Sequence, residues 1–162
     1  MLIGIMSDSH DHMDRIRQAT RVLVERGVTT IIHAGDFVAP FALIPLVEAK
    51  FRLFAVFGNN DGEFAGLRRI AAPLGGIHPG PYRFELDGMK FLVNHTPLSS
   101  DKINTEQAVS DFIVCGHTHI VEHRRLGTLT LINPGELCGW LKGRATIAIL
   151  DTASRQCEFI DL

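Results

Sequence analysis

Seven side chains of the types that bind metal ions stand in short polar clusters along this sequence. In chain order they are Asp8, His10, Asp36, Asn59, His95, His117 and His119. Carboxylate oxygens, amide oxygens and imidazole nitrogens, with no thiolate among them, suit divalent Mn, Fe, Ni, Co or Zn. Seven ligands are too many for one tetrahedral zinc ion but fit two ions that share a bridging carboxylate. Because Asp36 comes from the middle of the set, we predict that it is the bridge.

The pair of ions predicted from these residues suits the hydrolysis of a phosphate ester. Two divalent ions about 4 Å apart repel each other by roughly 4 kcal/mol even in water, so an anion must lie between them. Two dications outweigh the charges of Asp8 and Asp36 even with a bridging hydroxide, and a phosphodiester monoanion would neutralise the remainder. Asn59 adds a neutral oxygen, which leaves the ions more Lewis acidic than a third carboxylate would. The expected reaction is attack of a metal-bridging hydroxide on phosphorus.

In the first part of the chain, each cluster follows an apolar segment that is typical of a buried strand. The predicted strands and helices alternate as strand 2–6, helix 14–26, strand 29–34, helix 41–50 and strand 52–57. This order implies right-handed crossovers and parallel strands, and loops at the carboxyl ends of such strands converge on one crevice. In the pairs Asp8-x-His10 and His117-x-His119, we expect an extended backbone that points both side chains the same way.

The rest of the chain is predicted to be rich in strands. Asp87-Gly88 is a strong signal for a two-residue hairpin turn. Helices are predicted at 64–71 and 99–110, and strands at 82–86, 89–94, 112–115, 121–125, 128–132, 145–150 and 156–160. This order predicts two sheets packed face to face with helices outside. No repeat or long linker divides the chain, so residues 1–162 are expected to form a single domain.

The overall composition argues against several classes of protein. A formal net charge of −2 provides no basic surface for a stable nucleic-acid complex. Cys115, Cys138 and Cys157 are an odd and scattered set, which favours reduced thiols over a disulfide framework. The sequence starts without a basic leader and has no apolar run of membrane-spanning length, so a cytoplasmic protein that does not enter membranes is expected. A homodimer is the default expectation for its assembly.

Several short motifs carry the candidate ligands in a fixed order. They are Ser-Asp8-Ser-His10, Gly35-Asp36, Gly58-Asn59-Asn60-Asp61, His95 and Gly116-His117-Thr118-His119, followed by Asn133-Pro134-Gly135 and Cys138-Gly139. Together they resemble the calcineurin-like metallophosphoesterase superfamily, most closely its small prokaryotic YfcE-type phosphodiesterases. The resemblance implies a four-layer α/β/β/α sandwich of two mixed sheets flanked by helices. It also implies one metal ion on Asp8, His10, Asp36 and His119, and a second on Asp36, Asn59, His95 and His117.

Two positions depart from the pattern of that superfamily. Many relatives have a His after the ligand Asn, where this chain has Asn60, and a Gly-His pair where this chain has Thr96-Pro97. Asn60 cannot act as an acid but can donate a hydrogen bond to a phosphoryl oxygen, so we predict Asn60, His95 and Asp36 as the catalytic group. Manganese is the first choice for both ions and a small phosphodiester for the substrate. A phosphomonoesterase, a dinucleotide polyphosphate hydrolase and a catalytically weak protein-binding scaffold, like the retromer subunit of similar fold, are the alternatives.

Some further polar and aromatic residues have two interpretations. His12 and His33 could orient metal ligands, but a polar loop residue and a satisfied core histidine are the favoured interpretations. Asp61 is predicted to cap the helix that follows rather than to orient Asn60. Trp140 is the only Trp, and the sequence leaves open whether it lies in the core, against a substrate or at a subunit contact.

Overall fold

The computed structural model describes residues 1–162, which form two β-sheets and four α-helices. The strands are β1 (Leu2–Met6), β2 (Thr30–His33), β3 (Arg52–Val56), β4 (Ile77–His78), β5 (Tyr82–Leu86), β6 (Met89–Val93), β7 (Phe112–Val114), β8 (Val121–Leu126), β9 (Leu129–Pro134), β10 (Thr146–Asp151) and β11 (Gln156–Asp161). The helices are α1 (Met13–Glu25), α2 (Ile44–Glu48), α3 (Phe64–Ala71) and α4 (Ser100–Glu106). None of these helices is both long and apolar enough to cross a membrane.

Both sheets mix parallel and antiparallel strands. The first has the order β11-β10-β1-β2-β3-β4, in which β1 to β4 run parallel, β10 pairs antiparallel with β1, and β11 pairs antiparallel with β10. The second has the order β5-β6-β7-β9-β8, in which β6, β7 and β9 are parallel. β5 and β8 pair with this parallel group in the antiparallel sense. Two mixed sheets were predicted, and this part of the prediction is confirmed.

The apolar core between the two sheets accounts for their face-to-face packing. Alternate side chains of the strands point to one face of a sheet, and Ile5 and Ile32 of the first sheet lie in one buried cluster with Phe91 and Phe112 of the second. The rings of Phe91 and Phe112 stack at a centroid distance of 5.0 Å. Burial of these large side chains is the main favourable term that holds the sheets together.

Helices cover the outer face of each sheet. Leu23 of α1, Leu46 of α2 and Leu67 of α3 belong to the cluster on the outer face of the first sheet. Ile103 of α4 is part of a smaller cluster on the outer face of the second sheet, with Leu92 among its members. The result is the predicted four-layer α/β/β/α sandwich.

Local sequence explains most of the element boundaries. In α1 the buried residues Ile16, Ala19 and Leu23 recur at helical spacing. Gly27 follows the helix with a φ of +73°, a conformation that glycine adopts without steric cost. In the hairpin between β5 and β6, Asp87 and Gly88 both have positive φ, as the predicted two-residue turn requires.

The prediction of one continuous helix over residues 41–50 is wrong. The segment Pro40–Leu43 forms a 3-10 turn, and α2 begins only at Ile44. Pro45 stands in the first turn of α2, where its missing N–H is tolerated, whereas inside a longer helix it would remove a hydrogen bond. The predicted helix at 99–110 is also shorter, and the two-residue β4 was not predicted because it lies in a segment rich in Pro and Gly.

Candidate metal centre

The seven predicted ligands come together at the carboxyl ends of parallel strands from both sheets. Asp8 follows β1, Asp36 follows β2 and Asn59 follows β3 in the first sheet. His95 follows β6 and His117 follows β7 in the second. Because the sheets pack face to face, their two sets of loops meet at the same end of the sandwich. The strand pattern of the sequence had predicted this convergence.

One group of side chains forms around Asp8. The Nε2 atom of His10 lies 3.8 Å from Asp8 Oδ1 and 3.5 Å from Asp36 Oδ2. The Nε2 atom of His119 lies 3.3 Å from the same Asp8 Oδ1. Both carboxylates are almost fully buried, with Asp8 exposed by 0% and Asp36 by 1%. Two carboxylates and two imidazoles therefore share a small volume away from solvent.

A second group of side chains forms on the other side of Asp36. His95 Nε2 lies 3.3 Å from Asp36 Oδ2 and 2.9 Å from Asn59 Oδ1. The Nδ1 atom of His117 also lies 2.9 Å from Asn59 Oδ1. Asp36 Oδ2 is thus within 3.5 Å of a nitrogen in each group. The two groups adjoin, because a carboxylate oxygen of Asp8 also lies within 4.8 Å of the donor atoms of Asp36 and His95.

The directions of the hydrogen bonds show that electron-rich atoms face one another. His95 Nδ1 lies 2.8 Å from the backbone oxygen of Ala34, which can only accept, so Nδ1 carries the proton. In the neutral ring, Nε2 then presents a lone pair toward the oxygens of Asp36 and Asn59. In the first group, the buried atoms Asp8 Oδ1 and His10 Nε2 have no hydrogen-bond partner. Buried acceptors without a donor are costly, and bound divalent cations would compensate them, so these residues fit a metal centre.

Burial and hydrogen bonding act in opposite directions on the two buried carboxylates. Burial raises the pKa of Asp8 above its ordinary value, although Ser7, His95, His119 and the backbone of His117 oppose the change. Burial also acts to raise the pKa of Asp36, but the interaction with the His95 ring and the hydrogen bonds from Asn60 outweigh it and hold the pKa well below its usual range. Asp36 is therefore ionised, whereas Asp8 needs a nearby positive charge to be equally so.

The backbone at five of the seven predicted ligands is left-handed. The φ angles lie between +40° and +68° at Asp8, His10, Asp36, His117 and His119. The expectation of an extended backbone in the Asp-x-His and His-x-His pairs is therefore wrong. Positive φ is uncommon for residues other than glycine and is found where the surrounding structure enforces it, often at functional sites.

Side chains around the loops enforce this conformation. Asn60 donates to both oxygens of Asp36, from its backbone N–H to Oδ1 and from Nδ2 to Oδ2, each at 2.8 Å. The backbone N–H of His117 donates to Asp8 Oδ2 at 3.0 Å. The amide of Asn133 donates to the carbonyl of Gly116 at 2.9 Å, which fixes the start of the loop that carries His117 and His119.

The prediction that Asp61 caps the following helix is wrong. Glu63 is the N-cap of α3, and its side chain accepts from the backbone N–H of Gly66. The Asp61 carboxylate is buried and accepts from the backbone N–H groups of Asp36, Val38 and Gly58. Asp61 therefore joins the loop after β2 to the loop after β3.

Sequence reasoning missed Glu136, which is fully buried beside His119. Its Oε2 atom lies 2.6 Å from His119 Nδ1, and it also accepts from the backbone of Leu141 at 3.0 Å. Burial acts to raise its pKa, but hydrogen bonds from His119 and two backbone N–H groups outweigh this and lower it. The one signal in the sequence was an acidic residue directly after Asn133-Pro134-Gly135, in a segment that otherwise carries small and apolar residues.

The histidines of uncertain role and the single Trp now have defined places. His33 is buried, accepts from the backbone N–H of Gly35 at 3.1 Å and stacks on Phe37, so it is a core histidine. It is not the fully satisfied one that was favoured, because its buried Nε2 has no hydrogen-bond partner. Trp140 is 61% exposed and therefore not a core residue. Its ring centroid lies 6.3 Å from that of His10 and 5.4 Å from that of His12, next to the candidate centre.

A cleft of about 310 Å³ opens beside the centre and borders His119. Lys142 provides positive charge on its wall and Ile120 provides apolar surface, whereas the charge of Arg144 is paired with Asp161. Cys138 is also near, with its sulfur close to the rings of His10 and His119. Burial raises the pKa of the Cys138 thiol to about 11, and metal ions bind the thiolate rather than the thiol, so the histidine and carboxylate set is the better donor group.

The fold and this set of side chains define a class of phosphoesterase. Residues 1–155 match the calcineurin-like phosphoesterase superfamily domain, and the chain belongs to this superfamily. Over 165 aligned residues it is 36% identical to a phosphodiesterase of Methanocaldococcus jannaschii, with 100% of this chain and 99% of the relative covered. It is 35% identical to a solved archaeal phosphodiesterase, with a TM-score of 0.91 and full coverage of both chains. The phosphoesterase YfcE of E. coli has the same fold, at 17% identity, a TM-score of 0.70 and coverage of 99% and 98%.

Proposed function

We propose that this protein is a metal-dependent phosphodiesterase that hydrolyses a small phosphodiester. The observation that carries the proposal is the position of Asp36 Oδ2, which lies 3.5 Å from His10 Nε2 and 3.3 Å from His95 Nε2. An ionised carboxylate shared by two groups of carboxylate, amide and imidazole donors suits a pair of divalent ions. The Methanocaldococcus jannaschii relative, which aligns over the full length, is itself a phosphodiesterase.

The donor atoms suggest how two ions would be held. We assign one ion to Asp8, His10, Asp36 and His119, and the other to Asp36, Asn59, His95 and His117. Manganese is our first choice for both, and Ni, Fe, Co or Zn would also suit oxygen and imidazole ligands. Two such ions would supply Lewis acidity toward water and toward phosphoryl oxygens, which is the chemistry that phosphodiester hydrolysis needs.

Residues around the proposed ions would orient the phosphate ester. The side chain of Asn60 is exposed, and one of its two amide hydrogens is used by Asp36. The other can donate to a phosphoryl oxygen, which is the role predicted for this residue. His117 is also exposed at the mouth of the centre, whereas His95 is buried and held by the carbonyl of Ala34.

The surface next to the centre favours an ester with an aromatic or apolar group. Trp140 stands with 61% of its surface exposed beside His10, and Ile120 is 56% exposed at the neighbouring cleft. Lys142 adds positive charge at the same cleft. An organic group of the diester would bury apolar surface against Trp140 while the phosphate lies at Asp36. We do not propose a stable nucleic-acid complex, because the chain has a formal net charge of −2.

We propose that residues 1–162 act as one domain, because the two sheets share one apolar core. The three cysteines are free, which fits the reducing cytoplasm. A homodimer remains a prediction that solution scattering or analytical ultracentrifugation would test.

The direct test is the variant Asp36→Asn, with Asp14→Asn as the matched control. Asp36→Asn removes the charge between the two groups, so we expect loss of at least one bound ion and a fall in diesterase rate of more than about 100-fold, beyond the 10–100-fold typical of residues outside the ligand set. Asp14 is exposed on α1, and its variant should keep normal metal content and rate. Normal turnover of Asp36→Asn would refute the proposal.

A panel of esters separates the alternatives from the leading proposal. Faster turnover of monoesters or dinucleotide polyphosphates than of diesters would favour those two alternatives. A lack of hydrolysis with both Mn and Ni, despite bound ions, would favour a protein-binding scaffold.

A further inference from the structure

Glu136 is a fully buried carboxylate near the candidate centre, and the proposed reaction does not use it. It stands two residues after the end of β9, and its side chain is 0% exposed. Oε2 accepts from His119 Nδ1 at 2.6 Å and from the backbone N–H of Leu141 at 3.0 Å. Oε1 accepts from the backbone N–H of Lys142. Both oxygens therefore have donors, and the donors belong to two different parts of the chain.

The first part is the ring of His119. An ionised carboxylate can only accept, so a neutral His119 must carry its proton on Nδ1. The Nε2 atom then presents its lone pair toward Asp8 Oδ1, at 3.3 Å. Glu136 thus fixes both the tautomer and the rotation of a predicted metal ligand, as carboxylates behind metal-binding histidines commonly do.

The second part is the turn that carries Trp140. The backbone N–H groups of Leu141 and Lys142 both bind Glu136, directly after Trp140 in the chain. Trp140 and Leu141 are exposed by 61% and 71%, so little apolar packing holds their side chains in place. The buried carboxylate therefore holds this turn at two backbone groups, and the Cys138 thiol, which lies between Glu136 and the turn in the chain, also donates to Oε2, at 3.6 Å.

We propose that Glu136 is a positioning residue that holds His119 in its ligand orientation and, through the same carboxylate, holds the Trp140 turn beside it. The inference rests on the proposed function in one respect, that His119 is a metal ligand. The effect of Glu136 on the His119 ring does not need bound metal. One side chain then couples the order of the Trp140 surface, proposed above to contact the substrate, to the order of the candidate metal centre. Loss of Glu136 frees both at once.

Glu136→Ala and Glu136→Gln separate the two contacts. In Glu136→Gln one carboxylate oxygen becomes a carbonyl oxygen and the other an NH₂ group, whereas both oxygens of Glu136 face N–H donors. With the carbonyl oxygen at the position of Oε2, the contacts to His119 and Leu141 remain. The NH₂ group then faces the backbone N–H of Lys142, so two donors meet and that hydrogen bond is lost. The Gln variant should therefore keep the His119 orientation and loosen the turn, whereas the Ala variant should lose both.

Glu106→Gln is the matched control. Glu106 is also a buried glutamate, 6% exposed, and its carboxylate binds Arg83 and accepts from Ser110 at 2.7 Å on the far side of the second sheet. Its replacement perturbs a buried hydrogen-bonded carboxylate to a similar degree but touches neither His119 nor the Trp140 turn. Thermal melting of all three variants measures the general structural cost.

Three measurements test the inference. In the metal-free protein, ¹⁵N NMR of the imidazole of His119 reports which nitrogen is protonated, and we expect Nδ1 in the wild type and in Glu136→Gln but not in Glu136→Ala. The fluorescence anisotropy of Trp140, the only Trp, should fall in both Glu136 variants. Calorimetric titration with Zn²⁺ should show a 10–100-fold loss of affinity for one of two ions in Glu136→Ala, with the other unchanged.

The outcomes are distinguishable from those that test the proposed function. Unchanged His119 protonation and unchanged Zn²⁺ affinity in Glu136→Ala would overturn the inference. So would equal losses in Glu106→Gln, because these would show a general effect of removing a buried carboxylate. If Glu136→Ala does not fold, loosening of Trp140 in Glu136→Gln with an unchanged His119 ring supports the inference, and an unchanged anisotropy contradicts it. A protein without diesterase activity that still shows the ring effect would refute the proposed function alone.

Discussion

The carboxylate of Asp61 accepts a hydrogen bond from the backbone N–H of Asp36 at 3.1 Å. It accepts two more, from the backbone of Gly58 and of Val38, each at 2.7 Å. Asp36 follows β2 and Gly58 follows β3, so one buried side chain sets the spacing between two of the loops that carry predicted ligands. An ionised carboxylate suits this position because every group that faces it is a donor.

Asp61→Asn should destabilise the protein and loosen the centre. The amide group of Asn would face a backbone N–H instead of accepting from it, and a buried unsatisfied donor costs about 1–3 kcal/mol. We expect a fall of that size in the free energy of unfolding, together with weaker Mn²⁺ binding. Chemical denaturation and metal titration measure the two effects. Glu63→Ala, which removes the cap of α3 at a cost of about 1 kcal/mol, should leave Mn²⁺ affinity unchanged. Equal metal affinity in Asp61→Asn and the wild type would contradict this role.

Trp140→Ala should weaken the binding of aromatic diesters without removing metal. The indole is exposed beside His10 and contributes no contact to the buried core, so folding and metal content should be nearly unchanged. Loss of an aromatic contact of about 1 kcal/mol corresponds to a rise of roughly fivefold in KM for a nitrophenyl diester. Trp140→Phe should keep most of the affinity. An unchanged KM in Trp140→Ala would show that Trp140 does not contact the substrate.

The stability of the metal-free protein should fall between pH 7 and pH 5 because of His33. Burial, with a smaller effect of His95, lowers the pKa of His33 to about 3, against about 6.5 in the unfolded chain. The unfolded state therefore takes up a proton below pH 6.5 that the folded state excludes until about pH 3. The contribution of the buried, neutral His33 to the free energy of unfolding is full above pH 6.5. It is lost as the pH falls, by up to about 2 kcal/mol at pH 5.

Urea unfolding at pH 7 and pH 5 measures this difference. His33→Asn keeps an acceptor for the N–H of Gly35 but removes the titrating ring, so its free energy of unfolding should change less between the two pH values. The same change in the variant and the wild type would mean that other groups cause the acid sensitivity.

Most of the fold and the members of the centre could be predicted from sequence because both depend on local patterns. The apolar segment 2–6 matches β1 in both bounds, and the segment 64–71 matches α3. Asp8 and Asp36 were recognisable because each follows such a strand. Loops after neighbouring parallel strands meet whatever their detailed conformation, so the convergence did not depend on knowing the backbone angles.

The supporting residues could not be predicted because each has a partner that is distant in sequence. Asp61 binds an N–H 25 residues away, and Glu136 binds the ring of a residue 17 positions before it. No spacing rule marks either contact. The left-handed backbone at His10 and His119 was missed for a similar reason, since positive φ at a residue other than glycine is imposed by the folded surroundings.

The measurement that tests the central claim most directly is hydrolysis of bis-p-nitrophenyl phosphate by metal-stripped protein before and after addition of Mn²⁺. The proposal predicts no activity without metal, activity after Mn²⁺ is added, and loss of that activity in His117→Ala, whose ring lies 2.9 Å from Asn59 Oδ1. His123→Ala, on the exposed face of β8, should behave like the wild type. Activity in the stripped protein, or full Mn²⁺-restored activity in His117→Ala, would contradict the account.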